Sequence, residues 1–211
     1  MSWDWLTTNA GDIADDLLVH VQITVAALTL GVLLAIPIGA VAYRWPGVYP
    51  PVRAFTGALY TVPALALFVL LVNLVGLGTT PVVLALALYS LVILVAIVVE
   101  GLRAVPRDVV EAATAMGYRP VPRLLQVELP LAVPTLVAGM RAATVSTISL
   151  VSLGALIGTG GLGQLFIHGF QVDNPVEIWA GLVTIIALAV VADLLVVAGG
   201  RALAPWSAAV R

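Results

Sequence analysis

The stretch that decides the fold reads EAATAMGYRPVPRLLQVELP, residues 111–130, preceded by EGLRAVPRDVV at 100–110. Its first part predicts a short amphipathic helix. Pro106 suits a first helical turn, and Asp108 and Glu111 sit near the positive end of such a helix. Val109, Ala112, Ala113 and Met116 recur at helical spacing and predict one apolar face. Gly117 is placed to stop the helix, with Pro120 and Pro122 beyond it. Pro122 to Glu128 has room for another turn or two, and Leu129-Pro130 is expected to bend the chain into the next segment. On both sides of this polar, Arg-bearing interlude the chain turns almost wholly apolar.

That setting identifies the class. The chain has 211 residues, 62% of them hydrophobic, with a mean hydropathy of +1.14. Only 9% are charged, against roughly 25% in a soluble domain, too few to cover a water-facing surface. The expectation is an all-α membrane protein forming a single transmembrane domain over 1–211. A crossing helix needs about 20 apolar residues. Five segments supply them: 21–43, 54–72, 81–99, 131–153 and 178–198. The segment 154–177 opens on a run with glycine at 154, 158, 160, 161, 163 and 169, too many for a lipid-facing helix. It is expected to be short and broken and to pack against protein, because irregular backbone is tolerated only there.

All nine basic residues are Arg. Arg44 and Arg53 follow the first span, Arg103, Arg107, Arg119 and Arg123 lie in the 100–130 loop, and Arg201 and Arg211 follow the fifth span. The opposite segments carry only acids: Asp4, Asp12, Asp15 and Asp16 before the first span, then Asp173 and Glu177. The positive-inside rule therefore predicts N-out, C-in, with an odd number of crossings and a cytoplasmic 100–130 loop. The first 20 residues lack the positive charge a signal peptide wants, so no cleavage is expected. Trp3, Trp5, Trp45, Trp179 and Trp206 fall near span ends, where indoles anchor in the headgroup zone. The net charge of −2 does not suggest nucleic acid as a partner, and the absence of cysteine removes disulfides and thiolate chemistry.

The loop resembles the cytoplasmic signature of the integral permease subunits of bacterial ABC importers: Glu-Ala-Ala, three residues, Gly, nine residues, Ile-x-Leu-Pro. Here it reads Glu111-Ala112-Ala113, then Gly117, then Val127-Glu128-Leu129-Pro130, with Val127 standing for Ile. The resemblance implies a type I importer permease fold, like that of the methionine importers. It also implies that Glu111, Ala112, Ala113 and Gly117, with Leu129 and Pro130 at the end of the motif, form a coupling helix that docks on a cytoplasmic ATPase. YTVPALALFVLL (60–71), GLGTTP (76–81) and LPLAVPTLVAGMRAATV (129–145) look like permeases for osmoprotectants, and LIGTGGLGQLF (156–166) is shared with the methionine importers as well. The implied function is import of a compatible solute such as glycine betaine, choline or carnitine across the bacterial cytoplasmic membrane, with methionine or another small solute as the alternative. The implied partners are a second permease subunit, identical or sister, two ATPase subunits that bind the ATP and Mg, and an external solute-binding protein.

The remaining residues give little to an enzyme. There is no Gly-rich phosphate loop with Lys-Ser/Thr, so ATP hydrolysis is not expected of this chain. His20 and His168 are far apart in sequence and suggest neither a metal set nor a catalytic pair. The fourth span carries hydroxyls at helical spacing, Thr144/Thr147 and Ser146/Ser149/Ser152. Such a face belongs toward other helices or a water-filled path, with Thr144, Thr147, Ser149 and Ser152 as candidate path residues. Arg141, about 15 Å into that span, and Asp193 in the fifth are intramembrane charges and hence functional candidates. Glu100 or Glu128 is a candidate partner for Arg141, and Arg201 or Arg44 for Asp193. Pro37 and Pro63 are expected to kink spans one and two. A quaternary ammonium is best held by an aromatic cage, and the spans hold few aromatics: Phe55, Tyr60, Phe68 and Tyr89. That fits a permease that passes the solute while a separate protein supplies affinity. A secondary transporter, the rival class, wants an internal repeat and mid-membrane carboxylates, and only Asp193 offers itself.

Overall fold

The computed structural model describes residues 4–208, so Trp3 and Arg211 lie outside the described residues. Among these every regular element is a helix and there is no strand. A one-turn helix, α1 (Asp4–Thr8), leads into α2 (Ala10–Arg44), then α3 (Tyr49–Thr61), α4 (Ala64–Val75) and α5 (Thr79–Arg103). The loop helix α6 (Arg107–Ala115) and the short α7 (Pro120–Arg123) follow. A π turn (Leu124–Glu128) runs into α8 (Leu129–Val151). Two 3-10 turns, Ser152–Ile157 and Gly161–Gly163, connect to α9 (Gln164–Gln171) and α10 (Pro175–Leu203), and a last 3-10 turn covers Pro205–Ala208.

Four stretches are long and apolar enough to cross a membrane: α2, α5, the rod from α7 through Ile157, and α10. The fifth traverse is not the single helix expected over 54–72. It is α3 and α4, bent by 94° at Val62-Pro63. Pro63 has no N–H and pushes the residue before it out of the helical region, and Val62 is extended at φ −66°, ψ 131°. The Val62 carbonyl freed by the break accepts a hydrogen bond from the Tyr89 hydroxyl on α5, so no polar backbone group is stranded there. Pro37, by contrast, sits inside the unbroken α2. At 35 residues α2 is about 52 Å long, so the helix runs well past the expected 21–43, into the acidic turns around Asp12 and Asp16.

Glycine contacts give the directions of the helices. A Cβ on Gly31 would strike Ser90, and one on Gly39 would lie 2.5 Å from Val98 Cγ1, so α2 and α5 run parallel. Gly139 meets Ile97 and Gly101 meets Ala132, so α8 runs antiparallel to α5. Gly200 meets Val137 and Asp193 meets Arg141, so α10 runs antiparallel to α8. The α3/α4 pair therefore carries the chain back between two parallel helices, and the five traverses leave the termini at opposite ends. One end collects Arg44, Arg103, Arg107, Arg119, Arg123 and Arg201, and the other collects Asp4, Asp12, Asp16, Asp173 and Glu177 with no Arg among the described residues.

α5 is the central post. Val82, Ala85, Leu86 and Tyr89 pack with Ile23 and Ala27 of α2, Leu67 and Phe68 of α4 and Val151 of α8. Leu91, Leu94 and Val95 continue the core with Ala35 and Ala143, and Val98 and Leu102 with Ala132. α2 meets this post along Ala27, Gly31, Ala35 and Gly39, a stripe of small residues four apart that lets two backbones close up without a hydrophobic drive. α10 is the outlier, burying only Glu177, Gly181 and Gly200 and presenting Val183, Ile186, Val190 and Leu194 outward.

Candidate functional sites

The first site is α6. Its N-terminus follows Pro106, with Asp108 in the first turn, and its C-terminus closes on Gly117 at φ +86°. The Gly117 N–H donates to the Thr114 carbonyl at 3.0 Å and the Tyr118 N–H to the Ala113 carbonyl at 3.1 Å. These are the paired bonds of a Schellman cap, which needs a left-handed residue where Gly117 stands. Ala113 is the one buried residue of the helix. The inward side is Ala113 with the half-buried Val109 and Val110, whereas Ala112 and Met116 are exposed. The sequence pattern put Val109, Ala112, Ala113 and Met116 on one apolar face, and the bundle covers only the Val109 and Ala113 side of it. So short a helix touches the bundle along one narrow line, and everything off that line is free. Glu111, Ala112, Ala115, Met116 and Gly117 thus form an exposed end surface, and nothing lies within 4 Å of a Cβ built on Gly117.

The foot of α8 is not a sharp bend at Leu129-Pro130. The Leu129 N–H reaches back five residues to the Leu124 carbonyl, and the helix continues through a π turn. Pro130 lacks the amide an α-helical ladder needs, and the wider turn absorbs the gap. Leu129 and Pro130 are half-buried there.

The second site lies along α8. Arg141 and Asp193 of α10 form a bidentate pair, Nε–Oδ1 at 2.6 Å and Nη2–Oδ2 at 2.8 Å. Neither charge takes the partners the sequence offered, Glu100 or Glu128 for Arg141 and Arg201 or Arg44 for Asp193. The two meet because α8 and α10 pack antiparallel with these residues level. The pair is not enclosed: the Arg141 side chain is 48% exposed in the isolated chain. An ion pair at this depth is tolerated toward protein or water, not lipid. Exposed Val145 and Ser149 continue the same strip of α8, and Ser152 is half-buried above them. The four hydroxyl residues do not form one wall. Thr144 and Thr147 are buried within the chain, Thr144 lining an apolar cavity of about 580 Å³ between α2, α8 and α10. Ser149 and Ser152 bond back to Val145 and Ser149 carbonyls, at 3.1 and 2.7 Å. Asp193→Asn should leave the Arg141 guanidinium short of a counter-charge and lower the yield of assembled protein. Asp193→Asn with Arg141→Met should restore that yield, as read by size-exclusion profiles in mild detergent.

The structure also brings together residues that sequence spacing did not connect. His168 Nδ1–H donates to Glu177 Oε1 at 2.7 Å at the acidic end, and Asn174 faces the other oxygen. His20 Nε2–H donates to the Ile148 carbonyl at 2.9 Å. Arg123 reaches both Glu128 and Thr114. Tyr60 and Tyr89 stack edge to face at 5.6 Å, while Phe68 is core, so the aromatics of the spans form no cage. Among the described residues no three His, Asp or Glu side chains gather as a metal would need.

The chain matches the family described as binding-protein-dependent transport system inner membrane component over residues 22–207. It is 32% identical over 201 residues to the choline transport system permease protein OpuBB of Bacillus subtilis, covering 95% of this chain and 93% of that one. It is 33% identical over 196 residues to the osmoprotectant import permease protein OsmW of Salmonella typhimurium, covering 90% and 91%. Its fold is similar to a chain of the inward-facing MetNI methionine ABC transporter, with a TM-score of 0.79 at 22% identity over 96% of this chain and 99% of that one. Five traverses, with α5 at their centre and a capped helix at the Arg-rich end, define a type I importer permease fold embedded in the cytoplasmic membrane. The chain belongs to the family of binding-protein-dependent transport system inner membrane components and is the permease subunit of an ABC importer.

Proposed function

We propose that this chain forms half of the path of an importer for quaternary amines such as choline, glycine betaine or carnitine. Support comes from the relatives, named for choline and osmoprotectant transport, over nearly the whole chain. The path is completed by a second permease subunit, identical or sister, since one chain of five traverses leaves the Arg141–Asp193 pair and the Ser149 strip uncovered. Two ATPase subunits bind ATP and Mg at the Arg-rich end, which faces the cytoplasm, and a solute-binding protein delivers solute at the acidic end.

One observation carries the coupling role: an exposed helix ended by left-handed Gly117, with open space around it, at the Arg-rich end. Glu111, Ala112 and Gly117 supply the docking surface, Ala113 seats the helix on the bundle, and Leu129 and Pro130 lead its movement into α8. ATP binding closes the ATPases, α6 moves with them, and the paired bundles reorient. Ser149 and Ser152 face the path, and Thr144 and Thr147 back that wall from inside the chain.

The test is uptake of labelled choline and glycine betaine by proteoliposomes holding the chain with its ATPase and binding-protein partners. ATP-dependent uptake of a quaternary amine, unaffected by excess methionine, is the expected result. Uptake of methionine instead overturns the substrate class. In the same assay Ser149→Leu should lower uptake roughly ten-fold without loss of assembly. Normal uptake by that variant removes Ser149 from the path. A cysteine placed at Ala104 should resist an impermeant thiol reagent added outside cells, and labelling there overturns the orientation.

A further inference from the structure

α6 is held to the bundle by one narrow line of side chains, buried Ala113 with half-buried Val109 and Val110, and by the chain on either side. A third attachment exists. Arg123 Nη1 donates to Thr114 Oγ1 on α6 at 2.7 Å, and Arg123 Nε donates to Glu128 Oε1 at 2.7 Å. The Thr114 hydroxyl is itself oriented by donating to the Val110 carbonyl at 2.7 Å. Glu128 ends the π turn at the foot of α8, and its side chain is only 1% exposed. The carboxylate lies beside the Tyr43 hydroxyl, near the end of α2, and both groups line a cavity of about 320 Å³. One guanidinium thus joins the loop helix to a buried charge at the root of the path-bearing helix.

We propose that Arg123 is a positioning residue that transmits movement of α6 to α8. The inference rests on the coupling role of α6 and names the link through which it acts. A π turn is a soft point in a helix, because its widened ladder flexes more readily than an α-helical one. A pull on α6 arriving through the backbone alone would be absorbed between Gly117 and Glu128, a stretch containing Pro120, Pro122 and that turn. The Arg123 bridge bypasses the stretch. It grips α6 at Thr114, within its last turn, and grips Glu128 where α8 begins. Burial makes the Glu128 end stiff, since a carboxylate removed from water does not readily give up its cation. The fork of the guanidinium matters, because one planar group serves two acceptors at once, which an ammonium on a flexible stem does not hold as rigidly.

The cleanest variant is Thr114→Val. It removes the α6 end of the bridge, keeps the side-chain shape and leaves Glu128 paired, so folding is preserved. Arg123→Met with Glu128→Gln removes the bridge from the other end without stranding a buried charge. Each should be reconstituted in the complete transporter and scored for retained ATPase subunit, rate of ATP hydrolysis and solute molecules imported per ATP. Both are expected to keep the ATPase bound and hydrolysing while import per ATP falls roughly five-fold, and Thr114→Ser should restore it. Wild-type import per ATP in both variants overturns the bridge and leaves docking through Gly117 untouched. Loss of the ATPase subunit from Thr114→Val also overturns it, because Thr114 would then belong to the docking surface. Failure of the coupling role itself shows differently, as an ATPase subunit that stays bound and coupled after Gly117→Asp.

Discussion

Gly117→Asp should strip the transporter of ATP-driven uptake by roughly ten-fold or more while the membrane helices still fold. Two costs add. Gly117 holds φ +86° in a Schellman cap, and a Cβ in that conformation costs about 1 kcal/mol or more. The side chain would also project into the open space beside the exposed end of α6, where a docked partner must sit, and would carry a charge into that contact. Gly117→Ala separates the two, paying the backbone cost with almost no added bulk. The order expected is wild type, then Ala with a modest loss, then Asp with most of the coupling gone. The measurements are ATPase subunit retained on purification, solute-stimulated hydrolysis and uptake. An Asp variant that keeps its ATPase and transports at the wild-type rate shows that this loop does not dock.

Gly161→Ala should be among the most damaging single-methyl changes in the chain. Gly161 has φ +46°, and an added Cβ would lie 2.6 Å from the Asp16 carbonyl oxygen, 2.7 Å from the His20 nitrogen and 2.8 Å from His20 Cβ. Two of these three atoms are α2 backbone, so no side chain can swing aside to make room. Overpacking of about 1–3 kcal/mol adds to the left-handed cost of about 1 kcal/mol. The acidic end of α2 would have to move, and with it His20 and its bond to Ile148. Gly158→Ala is the control. It has φ +82° but nothing within 4 Å of its Cβ, so only the backbone cost applies. Thermal stability of the purified transporter in detergent should fall far more for Gly161→Ala than for Gly158→Ala. Equal shifts would mean that the close approach to α2 is not made.

The long helices were legible because each is written in one continuous stretch. Low charge and about twenty apolar residues suffice for a crossing, and α5 and α10 extend only a few residues beyond the expected 81–99 and 178–198. The stop at Gly117 was legible for the same reason, since a cap is a property of six adjacent residues. Hydropathy was blind to the break at Val62-Pro63. Apolar residues continue on both sides of it, and Pro37 sits in an equally apolar run without breaking α2. What separates the two prolines is tertiary: Tyr89 stands opposite Val62 to take up the freed carbonyl.

The hydroxyls of α8 show the limit of periodicity. Helical spacing marks residues that share a face but not what the face meets. Packing of α8 against α2 and α5 turned Thr144 and Thr147 inward and left Ser149 out. The same holds for α6, where the pattern predicted an amphipathic helix and the bundle decided that Ala113, not Ala112 or Met116, would be covered.

By itself, then, the sequence determined the membrane class, the number of traverses, the Arg-rich and acidic ends and the capped loop helix. These follow from composition and from spacings of a few residues, which any helix carries with it. The intramembrane charge pair was decided only by the tertiary structure. Arg141 found Asp193, fifty-two positions away, whereas Arg123 reaches Glu128 and Thr114, five and nine positions off, through the local course of the loop. Whether Arg141 and Asp193 meet depends on the level at which α8 and α10 bring them abreast, where Gly200 of α10 closes on Val137 of α8, and not on any distance along the chain.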